Sequence, residues 1–201
     1  MRQMAMWMLG ATMACADVET PDDHDHDHAH GLVTTVELDF RALSDDSVQT
    51  FAWSDPEDDG DPTVDTISLS EGSYVLDVRF INDLEDPAED VTAEVAEEGE
   101  EHQVFLTGSG VQSEATGAQP DALLDVAYDD DDGGGLPLGL AHTVSTLQSG
   151  AGELTLTLRH LPPEDGDPVK TADLAADVAA GGFGSLPGDT DVQVTFELEV
   201  P

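Results

Sequence analysis

The sequence predicts an all-β protein, an antiparallel β-sandwich of about eight or nine strands with one short helix. Apolar and polar residues alternate with period two in run after run beyond Leu32, and turns rich in Asp, Gly and Pro separate the runs. Nothing alternates strand with helix, as the crossovers of a parallel sheet require. At 201 residues the chain has room for one domain, or one domain and a tail. Hydrophobic residues at 39%, with 19 glycines, bring the apolar share to about 48%, inside the range of about 45–50% usual for globular domains. A packed core is therefore feasible.

Residues 1–15 read as a lipoprotein signal peptide rather than as part of the fold. Arg2 gives a positive start, and Met4 to Ala14 is an apolar run shorter than the about 20 residues a membrane-spanning helix needs. Thr12-Met13-Ala14-Cys15 resembles the lipobox of bacterial lipoproteins, with Thr12 where Leu is usual. Cys15 is the only cysteine, which excludes an intramolecular disulfide and suits lipidation of its thiol. A simple signal peptide or a free core cysteine is the alternative. Residue 16 is Ala rather than Asp, so nothing marks retention at the inner membrane. The expected location is the outer membrane, facing the periplasm or the outside.

Residues 16–31 form a polar, acidic, His-rich tether with too little apolar surface to fold. Residues 32–201 are the expected sandwich domain. Its first strand shows alternation from Val36 to Phe40, and similar runs follow at 48–53, 64–69, 74–81 and 103–107. Four more lie at 123–128, 140–147, 154–160 and 191–200. The helix is predicted between runs, with Asp86 as N-cap, Pro87 at the first helical position and Glu89 completing a capping box. Ala88, Val91, Val95 and Ala96 then form an apolar stripe, and Gly99 ends it. Alanines at 171–180 before Gly181-Gly182 allow a second short helix.

The charge balance narrows the partners. Asp and Glu number 45 against 5 Lys and Arg, a formal charge of −40. That field repels phosphate, so nucleic acid is excluded and membrane contact is expected through the lipid anchor only. Such self-repulsion weakens a fold unless cations screen it. A saline habitat or divalent cations at particular sites would each account for it.

Three constellations could carry chemistry. His24, His26, His28 and His30 alternate with Asp25, Asp27 and Ala29, so an extended chain projects all four imidazoles to one side. Neutral imidazole suits Zn²⁺, Cu²⁺ and Ni²⁺, and the aspartates concentrate cations. A hydrophilic spacer is the plainer reading. At the helix exit, Glu98 and His102 are four apart, as are Glu97 and Glu101. With remote His160, and His142 as a further candidate, two histidines and one or two carboxylates could bind zinc if the fold gathers them. Otherwise they are solvated groups or hydrogen-bonded within the sheet. Asp55, Glu57, Asp59 and Asp61 around Gly60 resemble the first half of an EF-hand calcium loop, with Thr66 where the closing Glu belongs. Acidic turns at 129–135 and 164–167 are comparable, and hairpins favour Asp and Gly for backbone reasons alone. No G-x-S-x-G elbow, P-loop, H-E-x-x-H or dinucleotide fingerprint occurs, and the expectation is a protein that is not an enzyme.

Residues 93–105, carrying Glu-Glu-His-Gln-Val-Phe at 100–105, residues 139–162, ending Leu-Arg-His-Leu-Pro, and residues 189–200 resemble a family of poorly characterised bacterial lipoproteins. The 55–60 turn and the Asp86-Pro87-Ala88-Glu89-Asp90 stretch are similar too. Some members carry the label "type 1 periplasmic binding fold superfamily protein", a class that needs the βα alternation and two lobes missing here. The resemblance implies a secreted or outer-membrane β protein working beside a TonB-dependent transporter, and nominates Glu101, His102 and His160. The expected function is capture of zinc or copper by an outer-membrane lipoprotein. The alternative is a non-catalytic structural or adhesive sandwich whose acidic loops bind calcium or a protein partner.

Overall fold

Alternation makes the strands, and the strands bury one face each. The computed structural model describes residues 32–201, so the signal peptide, Cys15 and the tract from His24 to His30 lie outside the described residues. In chain order the elements are β1 (Thr35–Ala42), β2 (Val48–Ser54), β3 (Thr63–Val64), β4 (Ile67–Ser68), β5 (Ser73–Asn82), β6 (Glu89–Asp90) and α1 (Thr92–Glu97). A 3₁₀ turn (Gly99–Glu101) leads to β7 (His102–Thr107), β8 (Val111–Gln112), β9 (Leu124–Tyr128), β10 (Ala141–Thr146) and β11 (Gly150–His160). After them come α2 (Leu174–Gly181), a second 3₁₀ turn (Phe183–Ser185) and β12 (Asp189–Val200).

Two sheets result. The larger runs β3-β2-β1-β5-β10-β9-β8, with β6 on the end of β5; the smaller runs β4-β12-β11-β7. Val36, Leu38 and Phe40 of β1, Leu76 and Phe80 of β5, and Leu154, Leu156, Phe196 and Leu198 of the smaller sheet all join one core between the layers. Each such side chain taken fully out of water contributes about 1.5–3 kcal/mol. Strand β7 differs, because residues 102–106 are buried on both faces. Val104 and Leu106 face the main core, whereas Phe105 packs in a second cluster with Leu161, Leu174, Ala175 and Val178. Helix α2 thus roofs the outer side of β7, and Phe183 meets the Phe105 ring edge-on at 5.5 Å. Among the described residues no helix is long and apolar enough to cross a membrane.

The all-β sandwich with its helix is as expected, with three differences in detail. The run at 64–69 is two short strands on different sheets: Val64 pairs with Trp53, and Ile67 pairs with Leu198. The chain crosses between layers there, so a single period-two run serves both. The predicted helix starts late, at Thr92. Asp86-Pro87 is a cis peptide, and Glu89 and Asp90 instead pair with Asn82 and Ile81 of β5. Asp90 then accepts the Thr92 N–H, the service expected of Asp86, and the Thr92 hydroxyl accepts the Phe80 N–H. The second helix, α2, is present. Finally, two of the short pairings, β4 with β12 and β8 with β9, are parallel.

Candidate metal centre at the end of the smaller sheet

The three strands β7, β11 and β12 bring their ends together at one edge of the sandwich. In the β7–β11 ladder His160 lies directly opposite His102. Both follow the parity of the inward-facing residues Val104 and Leu158, so both imidazoles turn toward the interlayer side. Their rings stack with centroids 5.1 Å apart and planes 18° apart. His102 is buried, at 1% side-chain exposure, and His160 is at 19%.

Carboxylates flank both rings. His102 Nδ1 lies 3.2 Å from the Glu98 carbonyl oxygen and 4.0 Å from Glu98 Oε2. Its Nε2 faces Asp191 Oδ2 at 3.6 Å. His160 Nε2 faces Glu101 Oε2 at 3.7 Å. Helical spacing does bring Glu98 back over His102, and the 3₁₀ turn swings Glu101 to the neighbouring strand. The turn is pinned from below. Buried Lys170 donates to the Gly99 carbonyl at 2.7 Å and pairs with Asp132 at 3.0 Å. Burial pushes the Lys170 ammonium below the usual lysine range against the pull of Asp132. Burial pushes the Asp132 carboxyl up, but the N–H of Leu136 and the Lys170 ammonium outweigh it and hold the group low.

Asp191 was not among the residues nominated by the sequence. It enters through a bulge: Leu158 pairs with Val192 and Arg159 with Thr190, leaving Asp191 as the extra residue. Such an insertion re-aims a side chain, here toward His102. Two features fix the bulge. Arg159 donates to the carbonyls of Pro187 and Gly188 at 2.7 and 2.6 Å and to the Thr190 hydroxyl at 2.9 Å. Gly188 runs so close to β11 that a Cβ there would sit 1.9 Å from the His160 carbonyl oxygen.

A small cleft of about 20 Å³ opens at this point, lined by Val33, Val91, Glu94, Val95, His102, Leu158 and Asp191. That is room for about one water-sized body. Zinc holds His nitrogen and carboxylate oxygen at about 2.0–2.2 Å, which places two neighbouring ligands of one tetrahedral ion about 3.4 Å apart. His102 with Asp191, and His160 with Glu101, each stand near that separation. Among the described residues no three His, Cys, Asp or Glu side chains are grouped as a complete metal site. The arrangement therefore consists of two adjacent His–carboxylate pairs. The lower Nδ1 of His102, held at a backbone carbonyl, leaves Nε2 directed at Asp191, the orientation that metal-bound histidines adopt.

The remaining nominated residues lie elsewhere. His142 is buried opposite Tyr128, with ring centroids 5.1 Å apart, and burial lowers it to about 4. It is not part of the cluster. In the 55–61 loop, buried Asp55 accepts the N–H groups of Asp59 and Gly60 at 3.1 and 2.9 Å, while Glu57, Asp59 and Asp61 are exposed. Asp130 similarly accepts the N–H groups of Gly139, Leu140 and Ala141. Backbone service alone explains an aspartate at both positions. Comparison with known proteins found no family model, no curated protein and no solved structure that matches this chain.

Proposed function

We propose that this protein is an outer-membrane lipoprotein that binds a divalent transition metal, zinc or copper, without catalysing a reaction. The observation that carries the metal reading is the stacked His102–His160 pair with Asp191 and Glu101 at ligand-to-ligand distance from its Nε2 atoms. Glu98 and Glu94 add negative potential on the same side, which lowers the energy of an incoming cation. Lipidation at Cys15 rests on the sequence of residues 1–15, and a TonB-dependent transporter as neighbour rests on the family resemblance. A tethered cation binder beside a transporter would deliver its cargo at short range.

Calorimetric titration of the full chain with Zn²⁺ and Cu²⁺ tests the metal reading. The expected result is one ion held at micromolar affinity or tighter. Its affinity should fall about tenfold or more, at least about 1.4 kcal/mol, in His102→Gln and in Asp191→Asn. Unchanged affinity in both variants would overturn the reading.

A further inference from the structure

We propose that Lys170 and Asp132 condense to an intramolecular amide, a covalent cross-link between the β9–β10 and β11–α2 connections formed with loss of one water. Lys170 is the only lysine in the chain; the other basic residues are Arg2, Arg41, Arg79 and Arg159. Arginine is the usual cation of a buried ion pair, whereas a buried lysine readily becomes a neutral nucleophile. The reactants stand in contact. Lys170 Nζ lies 3.0 Å from Asp132 Oδ2, and the two side chains are 1% and 2% exposed. The second carboxylate oxygen, Oδ1, accepts the N–H groups of Gly134 at 2.9 Å and of Leu136 at 3.0 Å. One oxygen of Asp132 is thus held by two backbone donors while the other faces the amine. Acyl transfer uses that arrangement, because the tetrahedral intermediate places its charge on the oxygen the donors hold.

The pair begins as ammonium and carboxylate. Lys170 passes one proton to Oδ2 across the 3.0 Å contact, leaving an amine and a carboxylic acid. Burial, which lowers the Lys170 ammonium, favours that transfer. Nζ then bonds to Cγ, and the negative charge this puts on Oδ1 is met by the Gly134 and Leu136 N–H groups. A second proton leaves Nζ for Oδ2, the Cγ–Oδ2 bond breaks, and water departs into the adjoining cavity of about 180 Å³ beside Leu136 and Pro168. The third proton stays on the amide nitrogen, where it keeps the bond to the Gly99 carbonyl, 2.7 Å from Nζ in the ion pair. Two effects favour the product. A buried ion pair carries a desolvation penalty that a neutral amide does not. Groups held in contact also react at effective molarities that reach about 10⁵ M or more, above the concentration of the water that would reverse the step.

The test is the mass of the full chain, purified folded and then unfolded in denaturant, beside Lys170→Arg and Asp132→Ala. The parent is expected to be lighter by one water than Lys170→Arg once the changed side chain is allowed for, and fragmentation should join residues 132 and 170. An amine-acylating reagent should leave Lys170 of the unfolded parent unlabelled. Asp132→Ala, which removes the acyl partner, should restore both the missing water and the label. Mass and labelling are read on unfolded chains, so neither variant has to fold for the comparison to hold. A parent of full mass whose Lys170 is acylated on unfolding would overturn the cross-link. A loss of water that persists in Lys170→Arg would place the dehydration elsewhere and overturn it equally.

Discussion

Two ring pairs in this sandwich share a centroid distance of 5.1 Å and differ in everything that matters chemically. His142 lies against Tyr128 in the closed interior, and its Nδ1 has no hydrogen-bond partner among the described residues. His102 lies against His160 at the strand ends, with a carboxylate oxygen 3.6–3.7 Å from each Nε2. The first pair is sealed by apolar packing, and its histidine is kept neutral. The second is bordered by groups that attract a cation. A histidine in a β-sheet thus takes an apolar or a carboxylate-lined setting according to what the adjacent turn and strand supply, and here the difference comes from Glu98, Glu101 and the bulged Asp191.

The comparison breaks most severely if the turn beneath the second pair is released. Lys170→Met leaves Asp132 as an unpaired charge with 2% of its side chain exposed and frees the Gly99 carbonyl. A loss of about 3–5 kcal/mol is expected in chemical denaturation, with weaker zinc binding at the 98–102 turn. Retention of full stability would show that the pair does not pin the turn.

The first pair is tested by pH. With His142 lowered from 6.5 to about 4 in the folded chain, the unfolded chain takes up this proton first as pH falls. The stabilising contribution is complete above pH 6.5 and is lost progressively toward pH 4. A shift of this size corresponds to roughly 3 kcal/mol. His142→Phe, which keeps a ring and removes the proton site, should gain on the parent chain by that order between pH 7 and pH 4. Parallel pH profiles of the two proteins would contradict a buried neutral His142. The smallest effect concerns the acidic loops. Asp55→Ala should cost about 1–2 kcal/mol, from the loss of two N–H···carboxylate bonds. Calcium added to the parent chain and to Asp55→Ala distinguishes this backbone role from a cation site: the same shift in melting temperature is expected in both, from screening of the −40 charge, if the role is the backbone alone.

The strands were legible because one face of each is buried, so burial writes period two into the sequence. All nine candidate runs carry strand structure, including Val192 to Val200, whose alternate residues face the core. Which sheet a run joins is not written there, which is why 64–69 divides without warning. The helix start was misplaced because Glu89 and Asp90 are taken by β5, a tertiary pairing that overrides a local capping pattern. Glu98, Glu101, His102 and His160 could be nominated from spacing and residue type, and the β7–β11 register brings them together. Asp191 could not. Its position depends on a bulge set by the pairing of two strands about thirty residues apart in sequence, and nothing in either strand alone marks the extra residue.

The smaller sheet has an order with a temporal meaning. Strand β12 lies between β4 and β11, so it follows both of its neighbours in the chain and is the last of the described strands to be made. Until residues 189–200 have emerged, both neighbours present open backbone edges and the interlayer core lacks Phe196 and Leu198. Assembly of this half of the molecule therefore waits on residues 189–200, and until they join, β4 and one edge of β11 stand without their shared partner.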